Sequence, residues 1–389
     1  MGTMKPSGDN AEVRHAVVSL VDDLLASAIR AGASDVHFEP TGEALAVRFR
    51  LDGVLQTVET LPAALSENLV ARLKVLAGLL TYRNDVPQEG RLDAPAAVAD
   101  SVADLRLAVF PTVRGQRAVV RVLYQQTGLE RLEALGLPAS AEGRLRQFAA
   151  GRGGRPLVTG PAGTGKSTTL AALLGHIARH APGRSIVSVE DPVERRIDGV
   201  TQIQIAPHGE LTFPVALRSL LRQDPEVLMI GEIRDAETAR IVVEAGLTGH
   251  LMMSTLHSAT PAAALLRLLE MGIEPYQVTS AVTAVLSQRL VRTLCPACKQ
   301  PAGGGGSVPV GCEACMQTGF RGRALLAELV ELDGRLRQGL LDRADAEALE
   351  TMIDRRGQMT LAQHGKQLLA EGVTCPAELA AVLPAETER

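Results

Sequence analysis

At 389 residues the chain is long for one domain and comfortable for two, and its 46% apolar content excludes global disorder. Six Phe, three Tyr and no Trp leave a mostly aliphatic core and few base-stacking platforms, and a net charge of −4 gives nucleic acid no global electrostatic support, so no nucleic-acid partner is expected. No apolar run approaches the ~18 residues of a membrane helix and the polar residues 1–10 lack a signal-peptide core, which predicts a cytoplasmic protein that meets membranes only through partners.

From residue 13 to 30 apolar side chains recur at helical spacing (Val17, Val21, Leu24, Ala28), and Gly32 stops the pattern. Val47, Phe49 and Leu51 then alternate with Arg48 and Arg50, and Asp52-Gly53 signals a hairpin turn before Val54-Leu55. A second amphipathic helix is predicted with Leu69, Leu73, Leu76 and Leu80 on one face. Strand-like runs at 104–109 and 118–123 flank a turn around 112–115, which closes a mixed α/β module at residue 124. Residues 125–136, with Gly128 and Gly136, read as a linker and as the site of a hinge. From 137 to 389 short aliphatic strands alternate with helices, the pattern of a parallel sheet covered on both faces. Residues 303–306 form a glycine run, and the part from 324 to 389 is expected to be helical.

Gly160-Pro161-Ala162-Gly163-Thr164-Gly165-Lys166-Ser167 fits the phosphate-binding pattern G-x-x-x-x-G-K-[ST], with Thr168 following in the helix it opens. It comes after a strand at 157–159 and begins a helix at 167–179, the context the motif requires. Glycines let backbone N–H groups turn inward around phosphate oxygens, and the helix N-terminus adds its positive end. Lys166 supplies a mobile charge to the β- and γ-phosphates of ATP, and the Ser167 hydroxyl can hold Mg²⁺.

Three further strands carry polar residues at their ends: 186–189 before Glu190-Asp191, 227–230 before Gly231-Glu232 and Arg234-Asp235, and 251–256 before His257. In an open parallel sheet, ligands bind outside the carboxyl ends of the strands. Phosphoryl transfer to water needs a metal-bound phosphate, an acid that orients the water and a cation for the developing charge. Glu190, Glu232 and His257 can fill parts of that set. Each has a plainer reading: Asp191 and Asp235 as helix caps or solvated loop residues, His257 as a satisfied structural histidine.

Several strings resemble the ATPases that drive type II secretion and type IV pilus assembly. Ser188-Val-Glu-Asp-Pro-Val-Glu194 resembles that family's acidic box. Leu220-Leu-Arg-Gln-Asp-Pro-Glu-Val-Leu-Met-Ile-Gly-Glu-Ile-Arg-Asp235 resembles its metal-and-glutamate segment. Leu247-Thr-Gly-His-Leu-Met-Met-Ser-Thr-Leu-His257 resembles its histidine box, and Gln288-Arg-Leu-Val-Arg292 a further stretch. Ala33-Ser-Asp-Val-His-Phe-Glu-Pro40, residues 47–55 and Pro87-Gln-Glu-Gly-Arg91 are similar to the family's second N-terminal domain, so the likeness runs from about residue 13 to 373.

The resemblance implies a hexameric ring of subunits, each with a PAS-like N-terminal domain (1–124) and a RecA-like ATPase core (137–389), working with inner-membrane platform proteins. It implies Lys166 and Ser167 on phosphate and Mg²⁺, Glu190 as a general base, Glu232 on Mg²⁺ and the attacking water, and His257 as a γ-phosphate sensor. Which of the two acids polarises the water stays open. Arg106 and Arg121 resemble the arginines that the N-terminal domain of such proteins extends toward the nucleotide. Arg106 lies on its strand's polar face with Asp104; Arg121 shares a face with Val119 and Leu123, an awkward place for a charge without a partner. An ordinary cross-sheet ion pair is the alternative for each.

Cys295, Cys298, Cys312 and Cys315 form C-x2-C-x13-C-x2-C, the spacing of two knuckles around one structural Zn²⁺; reduced thiols or a redox pair are the alternatives, and Cys375 stands alone. Within the resembling family, assembly ATPases carry such a tetracysteine element and retraction ATPases lack it, which implies a motor for extension or secretion. Many assembly ATPases also begin with an additional docking domain, which is not expected in these residues and which competence-type pilus ATPases also lack. A recombinase or helicase would show basic loops, a transporter ATPase an LSGGQ-type signature, and a small-molecule kinase would not need two arginines from a separate domain. A pilus retraction motor, and a nucleotide-gated scaffold with little turnover, are the remaining alternatives.

Overall fold

The computed structural model describes residues 9–124, 129, 131–151, 155–205, 209–302, 306–353, 355 and 357–383. The chain divides into two compact units, one of Met1–Gln126 with the short segment Cys312–Gln317, the other of Thr127–Gly311 and Thr318–Arg389. Part of the expected linker and hinge (125–128 and 130) and most of the glycine run (303–305) lie outside the described residues.

The first unit is a six-stranded antiparallel sheet: β1 (Asp35–Pro40), β2 (Ala44–Leu51), β3 (Val54–Pro62), β4 (Gln88–Leu92), β5 (Val102–Thr112) and β6 (Gly115–Tyr124), in spatial order β3-β2-β1-β6-β5-β4. One face is packed by the helices Asp9–Arg30 and Ser66–Leu76, whose Val21, Leu25, Leu69 and Leu73 join Phe38, Phe49, Leu105, Leu107 and Val120 in one buried cluster. The period-2 alternation read at 104–109 is the reason: Leu105, Leu107 and Val109 are buried while Arg106 points away. The second helix stops short of its predicted stripe. It ends at Leu76, Gly78 adopts a left-handed φ of +66°, and Leu79 N–H returns to Lys74 C=O, so Leu80 is exposed beyond the helix.

The second unit holds β7 (Pro156–Thr159), β8 (Ile186–Glu190), β9 (Thr201–Gln204), β10 (Val227–Ile230), β11 (Leu251–Leu256) and β12 (Ala284–Leu294). They are followed by the two-residue pair β13 (Gln300–Pro301) and β14 (Ser307–Val308), and by β15 (Phe320–Glu331). The main sheet runs β15-β12-β7-β11-β10-β8-β9, parallel from β12 to β9, with β15 antiparallel on β12. Alternate residues feed opposite layers. Leu228 and Ile230 pack in one buried cluster, Val227 and Met229 in the other, as expected for a parallel sheet covered on both faces.

The helical reading from 324 onward is corrected at its start. Ala324-Leu-Leu-Ala-Glu-Leu-Val-Glu331 carries apolar residues at helical intervals, yet it pairs with β12 from Arg323 to Glu331 and is buried on both faces. A strand covered on both sides shows no alternation, so its pattern imitates a helix. The helices begin only at Gly334. No helix of the described residues is long and apolar enough to cross a membrane.

Candidate nucleotide site

The loop between β7 and the helix Lys166–His180 is built as the motif requires. Gly160 faces a wall that admits no side chain: a Cβ there would lie 2.5 Å from the Gln288 carbonyl oxygen and 2.7 Å from Thr164 Oγ1. Gly163 and Gly165 have φ of +75° and +83°, and Gly165 caps the helix. Thr164 Oγ1 donates to Pro161 C=O, which closes the turn. Ala162 and Ser167 are exposed at the loop and helix start, and Thr168 is half-buried behind them.

Lys166 is buried, and its ammonium donates to the carbonyls of Gly160 and Pro161, both at 2.8 Å. Burial pulls its pKa down to about 8, opposed by Glu232 and reinforced by Arg289. Arg289 is itself buried; it donates to the backbone oxygens of Gln288 and Ala259 and makes no ion pair among the described residues.

Neighbouring parallel strands end beside this lysine. His257 follows β11 and places Nδ1 3.4 Å from Lys166 Nζ and Nε2 3.3 Å from a Glu232 oxygen. With the ammonium as donor, Nδ1 accepts and the ring proton sits on Nε2, facing Glu232. Glu232, two residues past β10, also pairs with Arg234, whose other nitrogen lies 3.4 Å from Asp191 after β8. The three acid- or histidine-tipped strands thus join the phosphate loop in one contact chain: Lys166, His257, Glu232, Arg234, Asp191. Glu190 ends β8 one strand further along; Gly231 N–H donates to Val189 C=O and holds the two strand ends level. Of the plainer readings, that of Asp235 holds, because its carboxylate accepts from Thr238 N–H and caps the helix Ala236–Leu247. Asp191 instead meets Arg234, which the sequence reading left without a role although it stands two residues from Glu232.

Arg106 and Arg121 lie directly opposite each other on β5 and β6. The same register continues to Arg91 on β4 and to Asp35 on β1, itself opposite Arg50 on β2. Arg106 bonds Asp104 of its own strand at 3.0 Å, whereas Arg121 bonds Asp35 on the neighbouring strand at 3.1 Å, so Arg121 has the cross-sheet pair of the plainer reading and is not the stranded charge its strand face suggested. Even so, three arginines in directly paired positions are mutually repulsive, and they share two carboxylates. Arg91 was missed as a member of this row because cross-strand register is invisible in sequence.

Cys295, Cys298, Cys312 and Cys315 are reduced, and their sulfurs lie within 4.8 Å of one another. Cys312 and Cys315 stand 3.8 Å apart, close to the edge of a tetrahedron with metal–sulfur bonds of about 2.3 Å. Gly311 N–H donates to Cys298 Sγ and Cys312 N–H to Cys315 Sγ. Cys375 is buried elsewhere and belongs to no such group among the described residues.

Residues 10–381 match the family model described as Type II/IV secretion system protein. The chain is 41% identical over 363 residues to the type II secretion system protein HxcR of Pseudomonas aeruginosa, covering 93% of this chain and 76% of that one. It is 40% identical to type II secretion system ATPase E of Vibrio cholerae, covering 92% and 73%. With the type IV pilus assembly ATPase PilB of Thermus thermophilus the identity is 37%, covering 94% and 43%. Among solved structures, the ATPase DotB of Yersinia pseudotuberculosis superposes with a TM-score of 0.68 at 21% identity, covering 98% and 96%. The pilus retraction motor PilT superposes at 0.63 and 23%, covering 95% and 98%; at such identities both likenesses speak for the fold alone.

The buried lysine generates a pH-dependent prediction. Its folded pKa of about 8 lies below the ordinary 10.5, so between those values the unfolded chain binds more protons and stability rises with pH. Lys166→Met is expected to abolish ATP turnover, to raise the melting temperature of the nucleotide-free protein at pH 7 by a few degrees and to erase the gain above pH 8. Calorimetry across pH 7 to 10 checks this. An unchanged melting temperature together with an unchanged pH dependence would contradict it.

Proposed function

Because the chain belongs to the Type II/IV secretion system protein family, we propose that it is an ATP-hydrolysing motor for type II secretion or type IV pilus assembly, working as a hexameric ring at the inner membrane through platform proteins. The observation that carries this reading is the contact chain from Lys166 through His257 to Glu232 at the carboxyl ends of adjacent strands. A scaffold that merely bound nucleotide would not need an acid and a histidine set against the phosphate lysine.

In the proposed cycle the triphosphate is cradled by the 160–168 loop, and the Lys166 ammonium exchanges the Gly160 and Pro161 carbonyls for the β- and γ-phosphates. Ser167 and Glu232 would hold Mg²⁺, which would neutralise charge on the phosphates. Glu190 takes the proton of the attacking water, and Glu232 helps to orient that water. His257, already bonded to Lys166 and Glu232, senses the γ-phosphate because any oxygen arriving between them must compete for its two ring nitrogens. Arg106 and Arg121 meet the developing charge in the assembled ring, where bidentate guanidinium–phosphate contacts outweigh their present aspartate pairs. The four cysteines would hold one structural Zn²⁺ with thiolates alone, and from the family resemblance such an element favours extension or secretion over retraction.

Two measurements test the reading. Specific ATPase activity, followed against protein concentration with mass photometry on the same samples, is expected to rise as hexamers appear. Arg106→Ala hexamers should lose turnover by about a hundredfold or more while ADP affinity changes little. A monomer hydrolysing at full rate at every concentration, or an Arg106→Ala hexamer with normal turnover, contradicts the shared site. For the cysteines, elemental analysis should find one zinc per chain, and Cys298→Ser should lower both zinc content and melting temperature while ADP binding persists. Zinc-free protein with unchanged stability overturns that assignment.

A further inference from the structure

The acid assigned above as general base is held in place by a residue outside every motif. β9 is the edge strand of the main sheet and runs parallel to β8, with Gln202 opposite Ser188 and Gln204 opposite Glu190. Gln202 reaches along that face and uses its whole amide. Nε2 donates to Glu190 Oε1 at 3.0 Å and to Arg195 C=O at 2.8 Å, and Oε1 accepts Ile197 N–H at 2.7 Å. Ser188 Oγ, fully buried, donates to the same Glu190 Oε1 at 2.5 Å. Gln204 adds a second tie to this loop by accepting Val193 N–H.

Glu190 therefore has two unlike oxygens. Oε1 is saturated by a hydroxyl and an amide, whereas Oε2 has no hydrogen-bond partner among the described residues. A glutamate side chain turns about three bonds, and a base must be held to within about half an ångström of its working position. A neutral amide suits that task. A lysine at 202 would neutralise the carboxylate, and a second carboxylate would repel it, but an amide fixes the oxygen and leaves the charge available.

We infer that Gln202 is the positioning residue for Glu190, fixing Oε1 so that Oε2 alone is presented to the attacking water, and that it couples this orientation to the 193–197 loop. The inference rests on the reading of Glu190 as the base, and the experiment separates the two. Gln202→Met keeps the length and the apolar stem while removing both the donor and the acceptor. In the full-length hexamer it is expected to lower kcat for ATP by about 10- to 100-fold, with KM and fluorescent-ADP affinity within about twofold. Ser188→Ala, which removes the other anchor on Oε1 without touching the loop, should lower kcat in the same sense and serves if Gln202→Met does not fold. The deciding readout is single-turnover hydrolysis in a Glu190→Gln background. There Gln202→Met and Ser188→Ala should each cost less than about twofold further, because what they position is no longer a base. If either variant costs the same factor in that background, or neither lowers kcat alone, Gln202 acts otherwise and the inference fails without touching the assignment of Glu190. If Glu190→Gln itself turns over at the wild-type rate, the base assignment falls first, and the inference falls with it.

Discussion

A buried ammonium that forms no ion pair among the described residues is the constraint on which the second unit depends. Lys166 rests on two backbone oxygens, with His257 and then Glu232 behind it, and burial has already drawn its pKa down to about 8. Partial charges on carbonyls offset only part of what a cation loses on leaving water. Arg289, buried nearby on carbonyl oxygens, adds to the excess. The site thus waits for negative charge, and the natural supplier is a polyphosphate. The strand ends explain the remainder: they deliver a histidine and carboxylates to that lysine, and parallel register makes them arrive on one edge.

Positive charge is stored in the first unit by a different device. Arg91, Arg106 and Arg121 occupy paired positions across three strands, and among the described residues the carboxylates that relieve their repulsion are Asp104 and Asp35. Aspartate pairs at half-exposed sites are weak, on the order of 1 kcal/mol or less, so they hold the guanidinium groups in a geometry from which they are easily drawn. A row of this kind would be a poor choice for stability alone. In the proposed ring it is a ready set of donors for phosphate oxygens.

What could be read from the sequence is what is contiguous in it. The phosphate loop, the aliphatic runs of β8, β10 and β11, and the residues that follow them are local patterns, and the structure links Lys166 to Glu232 through His257. Three kinds of information were not local. Register decided that Arg91 joins Arg106 and Arg121. Burial on both faces hid β15, whose Leu325, Leu326, Leu329 and Val330 imitate a helical stripe. The third loss was β9: Thr201-Gln-Ile-Gln204 has one apolar residue and no periodicity to announce a strand, because an edge strand beside a functional loop spends its side chains on hydrogen bonds rather than on core.

That last case bears on how the acidic segment works as a unit. Glu190 and Asp191 are adjacent, yet their partners lie in different directions: Glu190 is tied outward to the edge strand through Gln202, and Asp191 inward to Arg234 and so to Glu232. The end of β8 is therefore clamped between the sheet edge and the histidine–lysine chain. In the proposed cycle a displacement at the γ-phosphate position would act on His257, pass to Glu232 and Arg234, and reach Asp191, which is covalently next to the proposed base Glu190. Gln202 and Ser188 hold the Glu190 carboxylate from one side, and in the proposed cycle the Asp191–Arg234 pair links the same strand end to the nucleotide site from the other.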